Sequence, residues 1–207
     1  RCLARAEQSS ATLVVDQLRI HREADGHEQA MFTPVQLRAD RPLTLEDFIA
    51  GNRTFTHGYT LGYLKPIIAA PLLAAYGIAY HPEIRIGEDY ILMLELLVSG
   101  AVCVVEPTAG YRYTVRRGSI SHRLRQEDVA RIRASDAAFF GKYPVSDRAQ
   151  RLQLQRLRNL ETTYAFTQLV EALKQRKPRT VWNILRTRPT ALCLLWLPLW
   201  ARLKRLP

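Results

Sequence analysis

The sequence is poor in cysteine, with three in 207 residues, and Cys2, Cys103 and Cys193 stand too far apart for a Cys-x-x-Cys metal site. So sparse and odd a set excludes a disulfide-stapled scaffold and suits a reducing compartment. Long apolar runs are also missing. None reaches the roughly 20 residues that cross a bilayer. Residues 191–201 come nearest, and they are short and interrupted by Pro198. The N-terminus has no apolar segment of signal-peptide type, because Arg1-Cys-Leu-Ala-Arg5 runs straight into polar Glu7-Gln-Ser-Ser10. Asp and Glu stop at Glu171. There is no Asp-x-Asp, no Gly-rich phosphate loop, no repeat and no low-complexity segment.

Apolar residues make up 47% of the chain, enough for a core, which excludes wholesale disorder. The length suits one domain, or one domain with a helical tail. The formal net charge of +11 is unevenly placed. Residues 1–171 hold 21 basic and 19 acidic groups, and nine Lys or Arg follow with no acid. A nucleic-acid binder spreads its basic footprint over the face that grips phosphate, so no nucleic-acid partner is expected. The basic tail also carries Leu192, Leu194, Leu195, Trp196, Leu197, Leu199 and Trp200, with Trp182 upstream. Such a segment suits an anionic membrane surface, aromatics at headgroup level and cations on lipid phosphate. A helix packed on the domain with solvated charges is the plainer alternative.

Local patterns predict the elements. Residues 11–20 are rich in β-branched side chains and read as a strand. Residues 21–41, with Asp25-Gly26 and Pro34, read as a loop or irregular hairpin. Thr44-Leu-Glu-Asp47 has capping-box spacing and predicts a short helix to about Asn52. Residues 66–77 predict a second helix, with Pro66 in its first turn, Gly77 at its end and Pro71 shortening or bending it. A third helix should run from Glu88 to about Ser99 and stop at Gly100. Residues 102–106 and 111–115 read as two strands around a break, and 116–121 as a loop. Residues 126–143 and 146–175 read as helices, with Leu157, Leu160, Tyr164 and Leu173 at helical steps. Pro178 opens another short helix and Pro189 ends it. The fold class is α/β, divided into residues 1–125 and a helical extension over 126–207.

Two adjacent acids, Glu88 and Asp89, follow Gly87 at the head of an apolar helix. Acids in a first turn complement the positive end of the helix dipole, which is reason enough for them structurally. The alternative is a general base mounted rigidly at the mouth of a site. Arg116, Arg117 and His122 bracket Gly118-Ser-Ile-Ser121, with no acid from Pro107 to Gln126. Guanidinium forks and loop hydroxyls there suit a diphosphate, or they are a solvated basic loop. His21, His27, His57 and His81 lack ligand-like spacing and receive no role.

Leu61-Gly-Tyr-Leu-Lys-Pro66, Ile86-Gly-Glu-Asp-Tyr90, Tyr111-Arg-Tyr113 and Gly118-Ser-Ile-Ser121 follow one another in an order and spacing that resembles the second half of family 2 glycosyltransferases of GT-A fold. The resemblance is to the bacterial exopolysaccharide type, of which succinoglycan synthesis is one case, and covers roughly residues 11–122. It implies a partial GT-A, Rossmann-like half-domain with an α-helical extension behind it. It implies inverting transfer from a nucleotide-sugar donor to a lipid-linked or polysaccharide acceptor, at the inner, cytoplasmic face of the cell membrane. It assigns Asp89 as the general base and Glu88 as a group that holds acceptor or loop. Tyr63 and Lys65 would line the acceptor side, unless they are a core tyrosine and a surface lysine. Arg116, Arg117, Ser119, Ser121 and His122 would lie by the leaving diphosphate. The family's Asp-x-Asp holds Mg²⁺ or Mn²⁺ with the donor, and that motif has no counterpart here, so no metal ligand is assigned. Arg1 is expected to begin just past it. The chain then reads as a fragment, inactive alone, of a longer enzyme. The alternative is a non-catalytic membrane or assembly protein derived from a truncated transferase.

Overall fold

The computed structural model describes residues 1–23, 25–53, 59–84, 86–115 and 126–196. Helix α1 (Cys2–Ser9) leads into a long central strand, β1 (Leu13–Arg22), where the β-branched and apolar residues lie. A left-handed Ser10 ends α1 and turns the chain. Strand β4 (Cys103–Val115) runs parallel along one side of β1, from Leu13 opposite Cys103 to Arg22 opposite Val115. On the other side two short antiparallel strands share the edge, β3 (Lys65–Ile68) beside residues 13–16 and β2 (Glu28–Ala30) beside 19–21. Helices complete the mixed α/β fold that the sequence predicts.

The irregular hairpin forms β1 and β2, followed by a one-turn helix α2 (Pro34–Leu37) capped by the Thr33 side chain. Thr44 caps α3 (Leu45–Ala50), its hydroxyl accepting the Asp47 N–H. Helices α5 (Glu88–Val98), α6 (Gln126–Lys142) and α7 (Asp147–Lys174) fall where expected, with Ser146 accepting the Ala149 N–H at the start of α7.

Two expectations are corrected. Pro66 does not open a helix. It lies within β3, and the helix α4 (Ala70–Tyr76) starts later, with Pro71 in its opening turn rather than bending it. Both prolines suit a helix start locally. The exposed edge of β1 claims residues 65–68, and an edge strand tolerates proline, which has no N–H to give the ladder. Residues 103–115 are also one strand, not two. Between the pairs Asp16–Glu106 and Leu18–Tyr111 the register slips, and Pro107–Gly110 bulges out. Asp16 accepts the Gly110 N–H at 3.2 Å and Glu106 accepts the Thr108 N–H at 2.8 Å, so two buried acids hold the bulge. Burial raises the Asp16 carboxyl, and the neighbouring Glu106 charge adds to this.

The main core joins Leu13, Val15, Leu18 and Ile20 of β1 to Phe48 and Ile49 of α3 and residues 90–94 and 96 of α5. It does not stop at residue 125, because Phe139 of α6 and Ala149 of α7 belong to it. Tyr90 is the centre of that junction. Its ring stacks on Phe48, centroids 5.5 Å apart, and the Arg156 guanidinium of α7 lies 3.6 Å from its centroid. Its hydroxyl donates to Gln153 at 2.8 Å. Arg156 in turn donates to the buried Asp136 of α6 at 2.6 Å. One α7 face therefore fixes the first turn of α5. A smaller cluster joins Ala165, Phe166 and Leu169 of α7 to Val181, Ile184 and Leu185 of α8 (Pro178–Thr187) and to Ala191 in the tight turn Pro189–Leu194. Among the described residues no helix is long and apolar enough to cross a membrane.

Candidate functional site

Gly87 sets the geometry. It takes φ +91° immediately before α5, a left-handed conformation open to glycine at little cost, and its carbonyl accepts the N–H groups of Tyr90 and Ile91. The chain turns there so that Glu88 and Asp89 occupy the first turn of α5, while Tyr90 points inward to the core clamp. The acids are thus presented by a helix whose next residue is locked.

The two oxygens of Asp89 meet different groups. Oδ1 accepts a hydrogen bond from the Tyr80 hydroxyl at 3.0 Å, and Oδ2 lies 3.8 Å from the Lys65 ammonium. About a third of each side chain of the Lys65–Asp89 pair is open to solvent. Lys65 sits at the first position of β3, and its ammonium also stands 5.9 Å from the ring centre of Tyr111, the first residue of β4 after the bulge. The bulge therefore decides which tyrosine reaches the lysine. Burial, then the Asp89 charge and hydrogen bond, push the Tyr80 phenol up to about 12, so it is a hydrogen-bond donor across the neutral range. Glu88 contributes a weaker push on the same phenol, which puts its charge near Tyr80.

Tyr63 lies one residue from Lys65 beyond Leu64. Its ring stands edge-on to both Tyr59 and Tyr113, with 5.6 Å between centroids in each pair. Burial raises its phenol. Tyr63 is half-buried and packs on the main core, so it belongs to the aromatic packing.

The structure brings together Lys65 and Asp89, two residues the sequence singles out from segments 24 positions apart, and sets Glu88 beside them. Arg116, Arg117, Ser119, Ser121 and His122 lie outside the described residues. Tyr80 and Tyr111 are additions. Tyr111 stands in the quoted Tyr111-Arg-Tyr113 run, whose alternation put it on a strand without assigning it a role. Tyr80 carries no local signal at all. Its position over Asp89 follows from the turn between α4 and α5. His81, left without a role, lies 3.4 Å from buried Glu95 of α5 and 3.5 Å from Glu83, and ties that same turn to the helix.

Among the described residues no three His, Cys, Asp or Glu side chains converge as metal ligands. Several acids are held by neighbours: Asp16 and Glu106 by the bulge, Asp47 by Arg38, Arg41 and Thr44, Asp136 by Arg156.

No established protein-family model matches the chain. Succinoglycan biosynthesis protein ExoO of Rhizobium meliloti (strain 1021) is 37% identical over 206 residues, a match covering 100% of this chain and 59% of ExoO. Succinoglycan biosynthesis protein ExoU of the same organism is 27% identical over 154 residues, 73% of this chain and 45% of ExoU. The crystal structure of S. aureus TarS 1-349 in complex with UDP-GlcNAc superposes with a TM-score of 0.56 at 16% identity, over 88% of this chain and 50% of that one. The chain thus shares the fold of half of that protein, is similar in sequence to two succinoglycan biosynthesis proteins, and spans about half the length of each of the three.

Proposed function

We propose that this chain is the acceptor-side half of a family 2, GT-A-fold glycosyltransferase that acts in exopolysaccharide synthesis. The observation that carries the reading is the environment of Asp89. A carboxylate at a helix start, partly open to solvent, has one oxygen held by a tyrosine hydroxyl and the other facing a lysine. The resemblance of the ordered motifs, the names of the two sequence relatives and the nucleotide sugar bound by the structural neighbour all agree with it.

The chemistry is a single displacement. The acceptor hydroxyl oxygen attacks the anomeric carbon of a nucleotide sugar from the face opposite the diphosphate. The new C–O bond forms as the old one breaks, and its electron pair leaves with the nucleoside diphosphate. The hydroxyl proton passes to Asp89. Tyr80 fixes the rotation of the carboxylate through Oδ1, which leaves Oδ2 to take the proton. Lys65 beside Oδ2 orients the acceptor oxygen. A base held in one rotamer within hydrogen-bond reach contributes about 10²–10⁴ in rate. The Arg116 to His122 loop is assigned to the departing diphosphate, where cations and N–H groups stabilise the developing charge. Donor and divalent ion are assigned to residues outside this chain, and the acceptor is a lipid-linked or polysaccharide glycan.

The test uses the full-length protein with a panel of labelled nucleotide sugars and lipid-linked glycan extracted from the host. The reading predicts transfer of one sugar to the lipid fraction with the anomeric configuration inverted. Transfer with retained configuration, or no transfer from any nucleotide sugar, would contradict it.

A further inference from the structure

The end of α7 and the outer side of α8 form a surface that the transfer reaction does not use. Helix α8 buries no residue completely, and it packs on α7 through Val181, Ile184 and Leu185. Trp182 stands off that contact and is 69% exposed. Arg179 and Arg186 lie three residues before and four after it, so helical geometry sets all three along one stripe. Between the helices runs a groove of about 390 Å³, floored by Ala172, Pro178, Val181 and Leu185. Its rim is Trp182 and the half-exposed Leu173, with Arg176 and Lys177 at the same rim.

The charge on this surface is of one sign. Arg176, Lys177, Arg179 and Arg186 are exposed, and none has an acidic partner among the described residues. Arg188 is the neighbour that does, bound to Glu161 at 2.8 Å. No acid follows Glu171 anywhere in the sequence. An exposed indole and leucine above an apolar groove, ringed by unpaired cations, would be a poor water-facing surface. It matches the interface of an anionic bilayer, where the indole sits at headgroup depth, the lysine and arginine stems lie on apolar surface, and their heads meet lipid phosphate.

We infer that the α7–α8 stripe docks this protein flat on an anionic phospholipid surface, with Trp182 and Leu173 inserted and Arg176, Lys177, Arg179 and Arg186 on the headgroups. That contact holds this face of the chain against the membrane surface. A single-stranded nucleic acid is the competing anionic partner. It would need several aromatic faces along the basic track for successive bases, whereas this stripe offers one indole beside an aliphatic groove. The inference concerns where the protein sits and stands whether or not the transferase reading does.

The experiment is co-sedimentation of the full-length protein with vesicles of pure phosphatidylcholine and of phosphatidylcholine mixed with phosphatidylglycerol. Four cations at about 1 kcal/mol each should make binding to the mixed vesicles on the order of a thousandfold tighter, and weaker in high salt. In a variant whose other tryptophans are all changed to Phe, Trp182 emission should shift to the blue on binding. Combined Arg176→Gln, Lys177→Gln, Arg179→Gln and Arg186→Gln should remove the preference for phosphatidylglycerol. Because all four side chains are exposed, circular dichroism should stay that of the parent. Equal binding to both vesicle types, binding to neither, or an unchanged preference in the quadruple variant overturns the inference. So does a single-stranded oligonucleotide that binds through the same four cations while the vesicles do not.

Discussion

The Tyr80 hydroxyl donates a hydrogen bond to Asp89 Oδ1 at 3.0 Å, across the turn that joins α4 to α5. The contact makes each residue a reporter of the other. Burial and the Asp89 charge together raise the Tyr80 phenol to about 12. In Asp89→Asn the charge is gone, and Tyr80 should titrate closer to 10. Absorbance titration near 295 nm, with Tyr80→Phe to identify the transition, measures this. The linkage has a definite sign. A phenol raised by folding contributes stability that is complete below pH 10 and is lost as pH rises through 12. Tyr80→Phe should therefore flatten the alkaline end of the stability profile.

The clamp beneath Asp89 should be costly to break from one side. Arg156→Ala leaves Asp136, whose carboxyl burial already pushes upward, alone in the interior. Removing one partner of a buried ion pair costs about 3–5 kcal/mol. Replacing both, as Arg156→Met with Asp136→Leu, should cost clearly less. Urea unfolding of the two variants measures the difference, and equal losses would show that the pair is not the source of the cost.

Gly87→Ala should destabilise the start of α5. A side chain at φ +91° costs about 1–2 kcal/mol. The new Cβ would also lie about 3.4 Å from the Ile132 side chain, an ordinary contact, so backbone strain and not crowding is the cause. Gly77→Ala shares the positive φ with open space around it and serves as the matched control. Similar losses in stability are expected of the two variants, measured by urea unfolding.

Much of this was legible in the chain because it depends on neighbours in sequence. Thr44 and Ser146 announce helix starts through hydroxyls that reach only three residues on. Gly87 before two acids and an apolar run announces α5. The misread segments are those decided at a distance. Pro66 and Pro71 both suit a helix opening, and the choice between them falls to the free edge of β1, some fifty residues earlier. Pro107 and Gly110 resemble a strand break, yet Asp16 and Glu106 reach in and hold the chain on course as a bulge. Apolar spacing in α7 hid its most telling contacts. Gln153 and Arg156 are buried there for the sake of Tyr90, while Leu173, on the expected apolar stripe, is half-exposed. At the site, Lys65 and Asp89 were visible as residue types in a known order. Tyr80 was not, since only the folded turn brings it to Asp89.

The most direct test of the account is sugar transfer by the full-length protein carrying Asp89→Asn, compared with Glu88→Gln. The substituted amide keeps the size of the side chain and can still accept from Tyr80, but it cannot take up a proton. Transfer should fall by about 10²–10⁴-fold with thermal stability preserved, and Glu88→Gln should fall far less. Transfer by Asp89→Asn at the parent rate would contradict the assignment of Asp89 as the base, and with it the central claim.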